Sequence, residues 1–308
     1  MKVFTDTSEN IDSKKAVVTV GSFDGLHPGH FKILDEVKRA AAEKDGDAFV
    51  VTFEPHPRLV LSKDFNLKIL TTLQEKKEIL ANAGIENLIV INFTREFSQL
   101  NSDEFIKKFI VDKLKAVRMV IGHDHKFGRD RLGDVVKLNE VGKFYNFDVT
   151  DVPAVSLNGE IISSTKIRNA LFEGNIDRAS LFLGRNYSLS GKIVLGAQRG
   201  RTLGFPTANL ALDETLKAVP KNGVYTVKCY LGGEVHIGIM NIGYRPTFEN
   251  IQEMVLEVHL LNFSRDIYGE SMKVEFLRRL RDEVKFESKD SLINQIEIDK
   301  REAQKENI

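Results

Sequence analysis

Short apolar runs alternate with helix-spaced apolar residues through the first half of the chain. The runs occupy residues 17–20, 48–53, 88–93 and 117–121, and apolar residues recur at helical spacing within residues 31–41, 73–83 and 105–114. This alternation predicts a parallel α/β sheet with right-handed crossovers. Because ligands of such sheets bind beyond the carboxyl ends of the strands, the segment that follows the first run is a candidate ligand loop.

The pattern changes near residues 183–187, where period-two runs separated by glycine-rich turns begin. Shared faces of these runs carry Tyr225, Val227, Cys229 and Leu231 in one case, and Val255, Glu257, His259 and Leu261 in another. Period two predicts antiparallel β structure, as a barrel or a sandwich. A helix of mixed charge is predicted over residues 292–307. We therefore expect two domains, residues 1–183 and 184–308.

Composition narrows the classes of partner. The 308 residues carry 44 basic and 44 acidic side chains, and this neutral balance disfavours a nucleic-acid partner. The single cysteine, Cys229, cannot form an internal disulfide, cannot build a cysteine-rich zinc site and suits a reducing compartment. No signal-peptide pattern is seen at the N-terminus, and the apolar runs are too short to cross a bilayer. We expect a cytoplasmic protein without a membrane partner.

The segment GSFDGLHPGH, residues 21–30, directly follows the first apolar run. Glycines let backbone N–H groups approach a ligand, and a helix that begins near Gly29 directs free N–H groups and its positive dipole end to the same place. His27 and His30 lie three positions apart, so one helical turn brings both imidazoles together. This arrangement favours a phosphate ligand, whereas metal binding and simple helix capping are the alternatives.

A second polar segment is ISSTKIR, residues 162–168. Its serines and threonine suit a helix N-terminus and present hydroxyl groups, and Arg168 suits a multidentate phosphate contact. A capped surface helix is the alternative. The segment TFEPHP, residues 52–57, follows the second predicted strand and falls at the same sheet edge as His27.

Four motifs, GSFDGLHPGH, TFEPHP, GHDHKFG and ISSTKIR, in this order, resemble the nucleotidyltransferase module of bacterial bifunctional riboflavin kinase/FMN adenylyltransferases. The resemblance implies a Rossmann-like domain with a parallel sheet. It implies catalytic roles on the ATP phosphates for His27, His30 and Arg168, further ATP contacts at Gly21, Phe23, Gly29, Ser164 and Thr165, and flavin contacts at Asp124 and Phe127. His125 replaces an aromatic residue that is usual in the family.

The segment RGRTLGFPTANL, residues 199–210, predicts a shaped loop that leads into a strand. It lacks the P-loop pattern. Thr207 and Asn209 point to the same side of an extended segment, and their oxygens could hold Mg²⁺ together with ATP phosphates. A turn with two polar residues is the alternative. Glu257, among apolar neighbours in MVLEVHLLNF, is either on a solvent face or a base, and the sequence pattern leaves both open.

The second half resembles the riboflavin kinase module of the same family through GRTLGFPTANL, NGVYTV, GIMNIGYRPTF, LEVHLLNF and DIYG. This implies a six-stranded antiparallel β-barrel followed by a terminal helix. It implies Glu257 as the catalytic base, Thr207 and Asn209 at Mg²⁺, ATP contacts at Gly200, Arg201, Gly204 and Pro206, and a flavin contact at Arg245. Asn262 stands where the family often has aspartate.

Together the two resemblances imply an ATP-dependent phosphotransferase and nucleotidyltransferase. Riboflavin would be phosphorylated to FMN, and FMN would then be adenylylated to FAD with release of pyrophosphate. The expected partners are riboflavin, FMN, FAD and ATP, with Mg²⁺ as the cofactor. Two alternatives are an enzyme that performs only the FMN adenylyltransferase step, and a flavin-binding sensor without turnover.

Overall fold

The computed structural model describes residues 1–5, 11, 13, 15–62, 67–123, 135–196, 204–246 and 252–306. The chain divides into two compact units, Met1–Ser164 and Thr165–Ile308. Each unit is considered by itself. The predicted boundary at 183/184 differs from this division and stays a prediction.

A six-stranded parallel sheet forms the centre of the first unit. Its strands are β1 (Lys2–Phe4), β2 (Ala16–Val20), β3 (Asp47–Glu54), β4 (Asn87–Asn92), β5 (Ala116–Gly122) and β6 (Asp148–Val152). They are ordered β1-β4-β3-β2-β5-β6, and all the pairings are parallel. The predicted α/β architecture is therefore confirmed.

Helices connect these strands. They are α1 (Pro28–Lys44), α2 (Pro57–Leu61), α3 (Leu73–Asn82), α4 (Ser102–Phe105) and α5 (Val135–Tyr145), with a 3₁₀ turn at Phe97–Gln99, a π-helical stretch at Ile106–Lys113 and a short hairpin of β7 (Ser156–Leu157) and β8 (Glu160–Ile161). α1 begins with Pro28 at its first position and buries Leu34 and Val37. α3 begins with a capping box of Thr72 and Glu75.

The strand order reverses at β2. From β2 the chain builds β3 and β4 on one side, and it later builds β5 and β6 on the other. Such a reversal leaves a crevice at the carboxyl ends of the two strands that diverge. The segment that follows β2 starts at Gly21, so the fold places this candidate loop at the switch point.

The second unit contains a closed antiparallel barrel. Its strands are β9 (Ser188–Val194), β10 (Ala208–Leu212), β11 (Gly223–Leu231), β12 (Glu234–Pro246), β13 (Gln252–Leu260) and β14 (Ser271–Arg281), in the order β10-β13-β12-β11-β14-β9. The barrel is confirmed over the sandwich alternative, because β9 pairs with both β10 and β14 and closes the sheet.

Alternation along the strands separates the two faces of the barrel wall. The predicted face of Tyr225, Val227, Cys229 and Leu231 is fully buried. On β13, Leu256, Val258 and Leu260 are buried, whereas the positions between them are only half-buried. Glu257 and His259 therefore lie on the opposite face from the apolar residues of this strand.

Three further helices are α6 (Ser164–Glu173), α7 (Ile176–Leu183) and α8 (Lys289–Ala303). The predicted terminal helix is confirmed, and it begins earlier because Ser288 caps it. The buried Asp299 of α8 accepts hydrogen bonds from Nε and Nη2 of Arg281 on β14, the closest at 2.8 Å. This ion pair fixes the last helix to the barrel.

Candidate functional site

The loop between β2 and α1 has an unusual backbone. Phe23, Gly25 and Leu26 have φ angles of 47°, 91° and 46°, in the left-handed region. Phe23 and Leu26 are buried, and the burial of these apolar side chains offsets the strain of that conformation. The loop is therefore held in one shape by the core beneath it.

Asp24 ties this loop to the segment before α3. Its Oδ1 accepts hydrogen bonds from the backbone N–H of Leu70 at 2.8 Å and of Thr71 at 3.0 Å. The N–H of Gly25 donates to Thr71 Oγ1 at 2.9 Å, and the Ser164 hydroxyl donates to the Asp24 carbonyl at 2.8 Å. Sequence reasoning missed Asp24, although an aspartate beside glycines at a strand end is a signal of such anchoring.

The imidazoles of His27 and His30 stack on one another. Their ring centroids are 3.8 Å apart at an interplanar angle of 16°, and the Phe23 ring meets His30 edge-on at 5.3 Å. A Cβ at Gly21 would lie 3.1 Å from the Phe23 ring, and one at Gly29 would lie 3.1 Å from the His27 ring. These glycines therefore make room for the rings, a role that the sequence pattern had not indicated.

His27 is also the N-cap residue of α1, a helix of 17 residues. The first turn of such a helix directs backbone N–H groups and a positive partial charge outwards. The predicted histidine pair and the helix N-terminus thus lie together at the switch point of the sheet. This combination suits a polyanion such as a nucleotide phosphate.

Lys76, on α3, lies beneath the same loop and was not predicted. Its side chain is buried, and its ammonium group donates to the Ser22 carbonyl at 2.7 Å and to Thr52 Oγ1 at 3.1 Å. Burial lowers the pKa of this ammonium group, while the Asp24 and Glu54 carboxylates oppose that shift. A lysine at the helical spacing of Leu73 and Leu80 was the signal that could have found it.

Further residues were predicted for this site from the segment ISSTKIR and from the segment around Asp124. Ser164 begins α6 and contacts the loop, as described above, whereas Thr165 and Arg168 belong to the second compact unit. Their assignment to ATP rests on the sequence motif. Asp124, Phe127 and the departure at His125 lie outside the described residues.

The barrel brings the second group of predicted residues together. Asn209 on β10 pairs with Glu257 on β13, which in turn pairs with Asn241 on β12. Residues that pair directly across strands share a face, so two amides flank the carboxylate. Asn241 was not predicted from the sequence. An asparagine in the middle of the otherwise apolar segment GIMNIG is the feature that could have indicated it.

Glu257 forms an ion pair with Arg245. Its side chain is 24% exposed, so the carboxylate is neither fully buried nor on an open solvent face. Arg245 was predicted to contact flavin, and in this structure it contacts the predicted base instead. The two assignments are compatible, because one guanidinium nitrogen contacts Glu257 and the group has further N–H donors.

A cavity of about 260 Å³ lies beside Thr207. Its lining includes Pro206, Val258, Phe263 and Tyr268. His259 Nδ1 lies 2.8 Å from the Pro206 carbonyl and so fixes the cavity wall. Gly204 takes a φ of 86°, which suits a turn before this wall. Gly200 and Arg201 lie outside the described residues.

The oxygen donors of this region fit a hard divalent cation. Thr207 offers a hydroxyl and Asn209 an amide oxygen, the ligand types that Mg²⁺ takes. Gly196 holds the Asn209 amide closely, because a Cβ at Gly196 would overlap it. Glycine at position 196 therefore leaves the space that the Asn209 side chain occupies.

Two separate polar arrangements, one on a parallel sheet and one on a barrel, are those expected of a two-domain nucleotide-dependent transferase. Profiles of known families match both parts: FAD synthetase over residues 9–166 and riboflavin kinase over residues 183–306. The chain belongs to the FAD synthetase family of enzymes and carries the riboflavin kinase domain as well.

Relatives align with nearly the whole chain. The bifunctional riboflavin kinase/FMN adenylyltransferase of Listeria monocytogenes is 38% identical over 299 residues, which cover 96% of this chain and 93% of the relative. That of Bacillus subtilis is 37% identical over 297 residues, which cover 95% of this chain and 92% of the relative. Both domains are thus retained together and in the same order.

A solved structure matches the full length of the chain. It is the crystal structure of a protein from Streptococcus pneumoniae that is named a macrolide-efflux protein, with a TM-score of 0.91, 31% identity and 99% coverage of both chains. Within the described residues of this chain, no helix has both the length and the apolar character that a membrane span requires.

Proposed function

We propose that this chain converts riboflavin to FMN and then FMN to FAD, using one ATP in each step. The observation that supports this most directly is the presence of two separate arrangements of phosphate-binding groups, each within its own unit. The His27–His30 stack stands at a helix N-terminus, and the Asn209–Glu257 pair stands on the barrel wall. The names of the relatives agree with both activities.

In the barrel, Glu257 accepts the proton of the riboflavin 5′-hydroxyl. The hydroxyl oxygen forms a bond to the γ-phosphorus of ATP, the bond from that phosphorus to ADP breaks, and FMN results. Thr207 and Asn209 would hold Mg²⁺, which neutralises charge on the phosphates when it is bound. Positioning by these groups supplies most of the rate, as is usual for phosphoryl transfer. Arg245 pairs with Glu257 Oε1 and orients the carboxylate, whose other oxygen can accept the proton, and the remaining N–H groups of Arg245 can contact the flavin.

In the parallel-sheet domain, an oxygen of the FMN phosphate attacks the α-phosphorus of a second ATP. The bond from this phosphorus to the bridging oxygen breaks, and pyrophosphate leaves. The FMN phosphate is already anionic, so the step needs no strong base. His27, His30 and Arg168 donate hydrogen bonds to the departing pyrophosphate, where negative charge grows in the transition state.

The remaining assignments follow the motifs. We assign ATP contacts to Gly21, Phe23, Gly29, Ser164, Thr165, Gly200, Arg201, Gly204 and Pro206, and flavin contacts to Asp124, Phe127 and Arg245. The cavity beside Thr207 supports nucleotide binding, because its lining combines the aromatic rings of Phe263 and Tyr268 with polar side chains such as Thr207. We also propose that the protein acts in the cytoplasm, as expected from the sequence.

Two alternatives remain distinguishable. An enzyme limited to adenylyl transfer would not need a carboxylate flanked by two amides, and the pairing of Asn209, Glu257 and Asn241 supports the kinase step. A flavin sensor without turnover would bind riboflavin and leave ATP unchanged. Measuring ATP consumption with riboflavin present separates the sensor from both enzymes.

Paired variants test the two-site assignment. Glu257→Gln should lower FMN formation by about 10²–10⁴-fold because the base is lost, while FMN supplied to the enzyme is still converted to FAD. His30→Ala should lower FAD formation by about 10²–10³-fold and leave FMN formation intact. Glu234→Gln, on the barrel strand β12, is the control for charge removal. Loss of both activities in either folded variant contradicts the assignment.

A further inference from the structure

The buried ammonium group of Lys76 lies under the phosphate-binding loop rather than in it. Its side chain is 4% exposed. The two groups that accept its hydrogen bonds belong to different elements: the Ser22 carbonyl to the loop after β2, and Thr52 Oγ1 to β3. Thr52 Oγ1 in turn donates to the Ser22 carbonyl at 3.3 Å. Lys76 therefore links α3 to β3 through the Thr52 hydroxyl and to the loop through the Ser22 carbonyl. The Thr52 hydroxyl bonds to the same carbonyl.

This position is costly for a lysine. Burial lowers the pKa of the ammonium group, although the negative charges of Asp24 and Glu54 act in the opposite direction. A methionine would fill a similar volume without a charge to desolvate. The hydrogen bonds of the ammonium group, rather than packing, therefore account for a lysine at position 76.

The carbonyl that Lys76 holds is next to the residues that shape the site. Ser22 stands between Gly21, which gives room to the Phe23 ring, and Phe23 itself, whose ring meets His30. A displacement of Ser22 would move the Phe23 ring and, through it, the histidine stack. Loss of Lys76 would also remove a positive charge from beneath the loop that contains Ser22.

We propose that Lys76 is a positioning residue for adenylyl transfer: it fixes the Ser22 carbonyl and places a positive charge beneath the loop, so that the His27–His30 stack meets the ATP phosphates correctly. The inference rests on the proposed function of this loop. It concerns the ATP side of the reaction, because the flavin contacts are assigned to other residues.

The test compares Lys76→Met with Lys77→Met in FMN-to-FAD conversion by the full chain. Lys77 is the next residue of α3 and is only half-buried, so it controls for the loss of a lysine from this helix. Lys76→Met should lower kcat/KM for ATP by about ten- to a hundredfold, with a raised KM for ATP and a lowered kcat. The KM for FMN should stay within about twofold, and Lys77→Met should behave as the unchanged protein.

The different effects expected on the KM for ATP and the KM for FMN distinguish a positioning role from a folding defect. If the substitution only reduced the amount of folded first unit, kcat would fall while both KM values stayed unchanged, and that result would overturn the proposal. Wild-type kinetics in Lys76→Met would overturn it too. Riboflavin phosphorylation, measured in the same preparation, reports the second unit and should be unaffected.

Lys76→Arg decides the question even if the methionine variant does not fold. It keeps a positive charge and several N–H donors. A KM for ATP within about threefold of the unchanged protein supports the proposal, and a larger rise overturns it. Absence of FAD formation by the unchanged protein would instead contradict the proposed function, so the two failures are separable.

Discussion

At the scale of single residues, close packing of aromatic rings shapes the loop between β2 and α1, for which we propose phosphate binding. His27 and His30 stack at 3.8 Å, and the glycines at 21 and 29 leave the space that the Phe23 and His27 rings need. An alanine at either glycine would press its Cβ against a ring that is itself fixed by burial. The geometry of the histidine pair therefore depends on residues that need not touch a substrate.

The thiol of Cys229 gives a prediction at this scale. It is fully buried in the barrel, and burial raises its pKa to about 12. Because the thiolate is the reactive form, we expect no measurable labelling by a thiol reagent at pH 8 while the protein is folded. The chain has one cysteine, so labelling in denaturant should reach one thiol per chain. Labelling within minutes under native conditions would contradict the assigned burial.

Residue types and spacing predicted the groups expected to contact substrates better than the groups that support them. His27, His30 and Glu257 belong to short motifs, and these can be found along the chain. Asp24, Lys76 and Asn241 act through partners that are distant in sequence, such as Leu70 for Asp24 and Thr52 for Lys76. Only the fold brings such partners together, so a linear pattern can signal that they are unusual but not what they contact.

At the scale of elements, a buried carboxylate ion pair is prominent among the contacts that attach the last helix to the barrel, beside those of Arg278 with Glu302. Asp299 of α8 accepts hydrogen bonds from Arg281 and from Gln295, and its side chain is 6% exposed. The Arg281 side chain is 21% exposed, which weakens the pair relative to a fully buried one. The attachment of α8 to β14 should nonetheless be sensitive to this one carboxylate.

Asp299→Asn should lower the free energy of unfolding of the second unit by about 2–3 kcal/mol, because the isosteric amide leaves the Arg281 guanidinium without its counter-charge. Urea unfolding followed by circular dichroism measures the change. Glu297→Gln makes the same chemical change on the more exposed side of α8 and should cost less than about 0.5 kcal/mol. Equal effects of the two substitutions would show that the ion pair does not hold the helix.

The central strands of the parallel sheet could be predicted from the sequence, whereas its two edge strands could not. The strands β2 to β5 are apolar runs because both of their faces are covered, and this pattern is visible in the sequence. β1 has three residues, and β6 reads DVTDV with polar residues at an edge of the sheet. Short or polar edge strands have no distinct periodicity, because the pairing with a neighbour, rather than burial, makes them strands.

At the scale of the whole molecule, two sites stand in two compact units of one chain. FMN is the product of one and the substrate of the other in the proposed sequence of reactions. The order of the motifs was enough to predict two domains of different architecture. The boundary at 183/184 stays a prediction, since α6 and α7 are helices of ordinary periodicity that could extend either domain.

Independence of the two sites predicts complementation. Glu257→Gln and His30→Ala proteins, each unable to make FAD from riboflavin, should restore FAD formation when mixed, because FMN released by the second is adenylylated by the first. The yield should increase with the concentration of both proteins, as diffusion of FMN requires. A mixture that accumulates FMN without FAD would contradict independent sites.

The most direct measurement is chromatography of the flavins after the unchanged protein is incubated with riboflavin, ATP and Mg²⁺, beside a reaction begun with FMN. The account predicts FMN followed by FAD in the first reaction and FAD in the second. FAD in the second reaction alone would mean that the barrel is not a kinase. No product in either reaction, with flavin still bound, would contradict both catalytic assignments and support the sensor.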